Sequence, residues 1–120
     1  MDSGWIGVDL DGTLAHYDGW VSETHIGAPI PAMAERVKGW LAEGKNVRVF
    51  TARVGGGRSD PDRSRIIEAI KEWCLENLGQ KIPVVCCKDF SMIVLYDDRC
   101  VQVETNTGKL VVSEPQKGSE

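Results

Sequence analysis

Trp5-Ile6-Gly7-Val8-Asp9-Leu10-Asp11-Gly12-Thr13 is the stretch that decides the fold of this 120-residue sequence. Its first four residues form an apolar run, which ends abruptly in acidic residues. The pattern predicts a short buried strand that carries Asp9 and Asp11 at its C-terminal tip. The elements predicted on either side show what surrounds this strand.

Two segments downstream have the apolar spacing of amphipathic helices. Residues 30–43 have Pro31 in the first turn and Gly44 just past the end, whereas residues 60–78 begin at Asp60-Pro61 and close at Gly79. Short apolar runs predict three further strands, at residues 46–50, 83–86 and 92–96.

The remaining segments are less regular. Residues 14–29 mix glycines with polar side chains, which predicts an irregular loop or small hairpin. Residues 101–112 alternate in polarity around Asn106-Thr107-Gly108, which predicts a C-terminal β-hairpin. Because strands and helices alternate, we expect an α/β protein with a mainly parallel central sheet, formed by one domain at residues 1–114 and followed by a flexible tail at residues 115–120.

Composition narrows the class of function. The net charge of −4 argues against a protein that binds long nucleic-acid tracts, because such proteins carry a surplus of Lys and Arg. The N-terminus lacks the pattern of a signal peptide and no apolar run is long enough to span a bilayer, so we expect a cytoplasmic protein with no membrane partner.

Four cysteines, Cys74, Cys86, Cys87 and Cys100, show no CxxC spacing. This disfavours zinc binding and disulfides and favours buried reduced thiols. The adjacent pair should point to opposite faces if it lies on a strand.

Chemically useful side chains follow each predicted strand. In open parallel sheets the ligand lies at the carboxyl ends of the strands, so these side chains should converge in one crevice. Four carboxylates would repel one another unless a divalent cation or a lysine lay among them, and Mg²⁺ suits oxygen ligands. The residues concerned are Asp9, Asp11, Thr51, Lys88, Asp97 and Asp98.

Each of these groups has a chemical role to play at phosphorus. Asp9 is a plausible nucleophile, and Asp11, two residues further along an extended tip, can act as general acid and base. Thr51 and the neighbouring backbone N–H groups can donate to phosphoryl oxygens, while Lys88 supplies a positive charge.

The ordered set resembles the haloacid dehalogenase-like (HAD) superfamily: Asp9-Leu10-Asp11-Gly12-Thr13-Leu14 resembles its first motif, Thr51 its second, Lys88 its third and Asp97-Asp98 its fourth. The resemblance implies a Rossmann-like three-layer sandwich and a phosphohydrolase that acts through an aspartyl-phosphate on Asp9. It also implies Mg²⁺ held by Asp9, the carbonyl of Asp11 and the pair Asp97-Asp98, with Asp98 as the closer ligand. The substrate phosphate is expected at Gly12, Thr51, Ala52, Arg53 and Lys88.

The chain has no room for the separate cap domain of many such relatives, so the site should be open. An open site suits a macromolecular end or a site covered by a neighbouring subunit of a homo-oligomer. Residues 14–29 would then form a flap, with four possible substrate contacts at His16, Tyr17, Trp20 and His25.

Other functions stay open. A signalling receiver domain uses similar groups, but the order of the acidic pairs counts against it. A phosphate-ester-binding protein without turnover has the same residues. A nucleotide or nucleic-acid end is the alternative substrate class, and a second anion site or ordinary solvated charge explains equally well the cluster Arg53, Arg58, Arg63 and Arg65.

Overall fold

The computed structural model describes residues 4–111, and its centre is a four-stranded sheet in which every neighbouring pair is parallel. The strands are β1 (Trp5–Asp9), β2 (Val47–Phe50), β3 (Val84–Val85) and β4 (Met92–Tyr96). Their order across the sheet is β3-β2-β1-β4. The α/β class and the parallel sheet are therefore confirmed.

Two helices connect the first three strands: α1 (Pro31–Ala42) between β1 and β2, and α2 (Asp60–Leu78) between β2 and β3. α2 begins after Ser59, whose side chain accepts a hydrogen bond from the Asp62 N–H at 3.2 Å, and it ends at Gly79 with a left-handed φ of 94°. A single 3-10 turn (Ala52–Val54) follows β2. Within residues 4–111, neither helix combines the length and apolarity needed to cross a bilayer.

β1 lies between β2 and β4, and both of its faces are buried by packed side chains. Ile6 and Val8 point into a core that also holds residues of β2 and of both helices, such as Val49 and Ile70. Trp5 lies on the opposite face, where the guanidinium of a β2 arginine sits 4.6 Å from its ring centre. Both faces must be apolar, which explains the continuous hydrophobic run before Asp9.

α1 and α2 contribute to this same core and contact one another, so both pack on one face of the sheet. A three-layer sandwich is consequently not confirmed, since no described helix covers the face that holds Trp5. That face is closed by side chains: Trp5 donates its Nε1–H to Asp89 Oδ1 at 2.8 Å and is fully buried.

The predicted C-terminal hairpin is reduced to a single antiparallel bridge between Val103 and Leu110. Two backbone hydrogen bonds flank it, and Asn106 and Gly108 adopt the positive φ values that close the turn. The bridge does not extend into strands within the described residues. Residues 112–114 and the predicted tail at 115–120 lie outside them, so the full domain boundaries stay predictions.

The four cysteines are free thiols, but only Cys74 is buried. Burial raises the pKa of the Cys74 thiol to about 12. Cys87 and Cys100 are exposed, so their predicted burial was wrong. Cys86 and Cys87 follow the end of β3 at Val85, and their Sγ atoms lie 3.7 Å apart instead of on opposite faces.

The core position of α2 can be tested with Ile70→Ala. Ile70 has no exposed surface, so the cavity left by the variant should lower the free energy of unfolding by about 2–5 kcal/mol. The control is Leu75→Ala on the same helix, because Leu75 is 45% exposed, and it should cost less than about 1 kcal/mol. Urea denaturation measures both, and equal losses would contradict this placement of α2.

Candidate active site

The parallel register brings three strand ends together. Asp9 pairs with Phe50 of β2, so Thr51 comes next at the neighbouring tip. Val8 pairs with Tyr96 of β4, so Asp97 and Asp98 emerge on the other side of β1. The predicted convergence of these side chains at the carboxyl edge is therefore what the backbone produces.

Asp9, Asp97 and Asp98 form an acidic cluster, because each offers a carboxylate oxygen and these oxygens lie within 4.8 Å of one another. Thr13 connects its members. The Thr13 hydroxyl lies 3.3 Å from Asp9 Oδ2 and 3.1 Å from Asp98 Oδ1, and it accepts the Asp98 N–H at 2.9 Å. Sequence reasoning did not select Thr13, although its place within the first acidic motif was a signal.

The carboxylates of this cluster shift the pKa of Asp9. The pKa of Asp9 is raised to about 7. Burial is the main cause, followed by the charge of Asp97 and then by the hydrogen bond and charge of Asp98. The Thr13 hydrogen bond acts in the opposite direction but is the weakest of these causes. A bound divalent cation would remove the repulsion, and an all-oxygen set of this kind suits Mg²⁺.

Asp11 is not part of the cluster, because its carboxylate is paired with Arg53. Arg53 Nε donates to Asp11 Oδ2 and Nη2 donates to Oδ1, both at 2.8 Å. Arg53 Nη1 also donates to the carbonyl oxygens of Glu23 at 2.7 Å and Ser22 at 3.2 Å. Arg53 is only 6% exposed and is held by Asp11 and the 14–29 segment, but it also lines the cleft that contains Asp9, so its predicted contact with substrate phosphate stays a prediction.

Thr51 is also buried at the strand tip and lines the cleft together with Ala52. Its Oγ1 accepts the Arg53 N–H at 3.1 Å, and its own N–H donates to the carbonyl of Val85 at 2.9 Å. The hydroxyl accepts in this contact, so its own hydrogen can still be donated into the cleft. Thr51 and Ala52 are thus where the sequence predicted them.

The cleft has a volume of about 430 Å³ and an open, mixed polar and aromatic wall. It contains most of the predicted site residues. The lining residues are Asp9, Asp11, Tyr17, Trp20, Phe50, Thr51, Ala52, Arg53, Arg58, Asp97, Asp98 and Arg99.

Gly12 and Lys88 do not line this cleft, although both were predicted to bind substrate. Gly12 lies directly against Asp98 instead. Its φ is +88°, and a Cβ at this position would lie 2.5 Å from Asp98 Oδ2. Lys88 is exposed, three residues beyond the end of β3.

The 14–29 segment forms one wall of the cleft. Its ends are joined by an antiparallel bridge between Ala15 and Pro29, so the predicted irregular loop is closed at its base. Tyr17 and Trp20 line the cleft, whereas His16 and His25 line a neighbouring depression. The two aromatic contacts predicted for this segment are thus at the site, and the two histidines lie beside it.

The arginine cluster has carboxylate partners. Arg58 lies 3.1 Å from Glu23, Arg63 lies 2.8 Å from Asp60, and Arg65 lies 3.2 Å from Asp62. These pairs favour structural charge pairing over the second anion site.

Arg99 also lines the cleft, and residues 4–111 provide no carboxylate partner for its side chain. Sequence reasoning did not select Arg99, although it directly follows Asp97-Asp98.

Comparisons with known proteins support the fold but not a family. No family model matches the chain, and no curated protein matches it. A conserved protein from Bacteroides thetaiotaomicron has a similar solved structure, with a TM-score of 0.53 and 21% sequence identity, over 81% of this chain and 77% of that chain. The similarity extends to the α/β fold, and membership of the haloacid dehalogenase-like superfamily stays a prediction.

We expect Asp9→Asn to stabilise the metal-free protein at alkaline pH. The pKa of Asp9 rises from 3.8 to about 7 on folding, so the folded state loses stability as the pH rises through this interval. In EDTA, urea unfolding should show the variant more stable by about 1–2 kcal/mol at about pH 8, after allowance for solvent screening, and no difference at about pH 3.

The control for this measurement is Glu35→Gln, whose carboxylate is exposed on α1 and does not line the cleft. No such pH-dependent difference is expected for it. Equal stability of Asp9→Asn and the native chain at alkaline pH would contradict the described acidic cluster.

Proposed function

We propose that this protein is a magnesium-dependent phosphohydrolase that cleaves phosphomonoesters through an aspartyl-phosphate on Asp9. The observation that carries the proposal is the acidic cluster of Asp9, Asp97 and Asp98, whose oxygens lie within 4.8 Å of one another at the carboxyl edge of a parallel sheet. A purely structural cluster would not require Asp9 to be half-buried with a strongly raised pKa.

The donor set fits a hard divalent cation. Asp9, Asp97 and Asp98 would hold it, and their oxygens leave room for water and substrate phosphate as further ligands. Bound there, Mg²⁺ would neutralise the cluster and polarise the phosphoryl group. Both Asp97 and Asp98 belong to the cluster, so the preference for Asp98 as the closer ligand stays a prediction.

The other groups of the cleft have distinct roles in this proposal. Asp9 attacks phosphorus, and the buried hydroxyl of Thr51 donates to a phosphoryl oxygen. Asp11 exchanges a proton with the leaving oxygen and then with water, while Arg53 holds its carboxylate in a fixed orientation at 2.8 Å. Arg58 and Arg99 supply positive charge to the cleft, a task that the sequence had assigned to Lys88.

The Asp11–Arg53 pair also favours a second candidate, a phosphate-ester-binding protein without turnover. A bidentate arginine occupies both oxygens of the group that would have to exchange a proton. Such a protein would bind phosphate esters with Mg²⁺ but release no phosphate. We also propose, together with the phosphohydrolase function, a haloacid dehalogenase-like fold, a cytoplasmic location and an oligomer that covers the open site.

Phosphate release from a panel of phosphate esters, in Mg²⁺ or in EDTA, tests the proposed activity. We expect Mg²⁺-dependent release by the native chain and a loss of at least about 10³-fold in Asp9→Asn, because the nucleophile is removed. Glu35→Gln is the matched control and should retain full activity. Undiminished activity in Asp9→Asn would overturn the mechanism, and ester binding without any release would favour the second candidate.

Gly12→Ala tests whether the position of the Asp98 carboxylate depends on the small size of Gly12. Its Cβ would lie 2.5 Å from Asp98 Oδ2 and should displace that carboxylate, so we expect phosphate release to fall by about 10-fold or more. The control is Gly44→Ala, because Gly44 has a similar φ of +80° but no atom within 4 Å of the added Cβ. Both variants carry left-handed backbone strain, and equal activity in the two would show that Asp98 does not depend on Gly12.

A further inference from the structure

Two exposed aromatic rings, Tyr17 and Trp20, line the cleft, and the proposed phosphoryl chemistry does not use them. Trp20 is 56% exposed and Tyr17 is 46% exposed, although both line the same cleft as Asp9. Trp5 and Trp73, by contrast, are buried. Large apolar rings left open beside a catalytic group form a binding surface for a flat apolar ligand group.

Trp20 is held in place by the catalytic end of the cleft. The Arg53 guanidinium lies 5.2 Å from the Trp20 ring centre, and the same guanidinium is fixed by two 2.8 Å bonds to Asp11. The base of the segment is anchored separately, because Trp73 Nε1 donates to the carbonyl of Gly27 at 2.9 Å. These contacts order the Trp20 ring and the base of the segment before a ligand binds, which lowers the entropic cost of binding.

The polar lining of the cleft restricts the kind of group that fits against these rings. Within the described chain, no Asn or Gln lines the cleft, and its side chains are carboxylates, arginines, one threonine, alanine and aromatic rings. Amide side chains, which both donate and accept hydrogen bonds, are suited to sugar hydroxyls, whereas a nucleobase needs only an aromatic face to stack on. A volume of about 430 Å³ lies within the usual range for small-molecule sites.

We propose that the cleft binds a nucleoside monophosphate, with the base stacked on Trp20 and Tyr17 and the phosphate at Asp9. The inference rests on the proposed phosphohydrolase function and names its substrate class. Because stacking uses the face of the base and every base has one, the four bases should bind with similar affinity.

A free nucleotide and the 5′-phosphorylated end of a nucleic acid both present a base and a phosphate monoester. Arg99 distinguishes these sources, because it lines the cleft without a carboxylate partner in residues 4–111 and would contact the next phosphate of a chain. A 5′-phosphorylated dinucleotide cleaved better than adenosine 5′-monophosphate, with the advantage lost in Arg99→Gln, would assign a nucleic-acid end. Equal values would assign the free nucleotide.

The test compares adenosine 5′-monophosphate with ribose 5-phosphate, which lacks only the base. For the native chain we expect kcat/KM to be about 10-fold higher for the nucleotide, and Trp20→Leu should abolish this advantage over ribose 5-phosphate. Trp20→Phe keeps an aromatic face and should retain most of the advantage. Phe90→Leu is the control, because Phe90 is fully exposed and does not line the cleft.

Equilibrium binding of the same two compounds to Asp9→Asn in Mg²⁺ provides a readout that does not need turnover. Tighter binding of the nucleotide, lost in the double variant with Trp20→Leu, supports the inference even if no ester is hydrolysed. A nucleotide-to-ribose-phosphate ratio that Trp20→Leu leaves unchanged, in rate and in binding, overturns the inference. Hydrolysis of both compounds in that case would leave the phosphohydrolase itself intact.

Discussion

The position of β1 between two parallel neighbours is the constraint on which the rest of the structure depends. Parallel pairing places the carboxyl ends of β2, β1 and β4 on one edge, and side chains packed on both faces of β1 bury the strand. The first effect collects acidic side chains from distant parts of the chain. The second prevents those side chains from moving away into water, because the strand that carries Asp9 is fixed by its neighbours.

Carboxylates collected at one edge of the sheet repel one another, and the protein compensates this repulsion differently for Asp11 and for the acidic cluster. Arg53 neutralises Asp11 through two short hydrogen bonds and is itself almost completely buried. The cluster of Asp9, Asp97 and Asp98 receives hydrogen bonds from the Thr13 hydroxyl and the Arg99 N–H, but burial and mutual repulsion still raise the pKa of Asp9 strongly. Asp9 and Asp11, two residues apart, thus have different surroundings: other carboxylates surround the first, and a buried guanidinium pairs with the second.

Arg53 also joins the catalytic edge to the segment at residues 14–29. Its contacts to Asp11, to two backbone carbonyls of the segment and to the Trp20 ring make one network. A ligand that moves Trp20 would therefore act on the orientation of Asp11 through a single side chain. In the proposed function, this network would connect substrate contact with proton transfer.

The sequence by itself determined the α/β class, the parallel sheet and the carboxyl edge at which Asp9, Thr51, Asp97 and Asp98 meet. These features follow from local patterns, since a buried strand, its apolar run and the polar residue at its tip are adjacent in the chain. The haloacid dehalogenase-like function read from the same residues remains a proposal, because a motif describes the residues and not their reaction.

Only the tertiary structure decided the partners of those residues. The pairing of Asp11 with Arg53, the contact of Gly12 with Asp98 and the absence of Lys88 from the cleft lining depend on distances between loops, which no local pattern encodes. The placement of both helices on one face has the same origin, because the side of the sheet on which a helix packs is decided by strand order and crossover handedness. Side chains at strand ends are predictable from the chain, whereas their mutual contacts require the folded molecule.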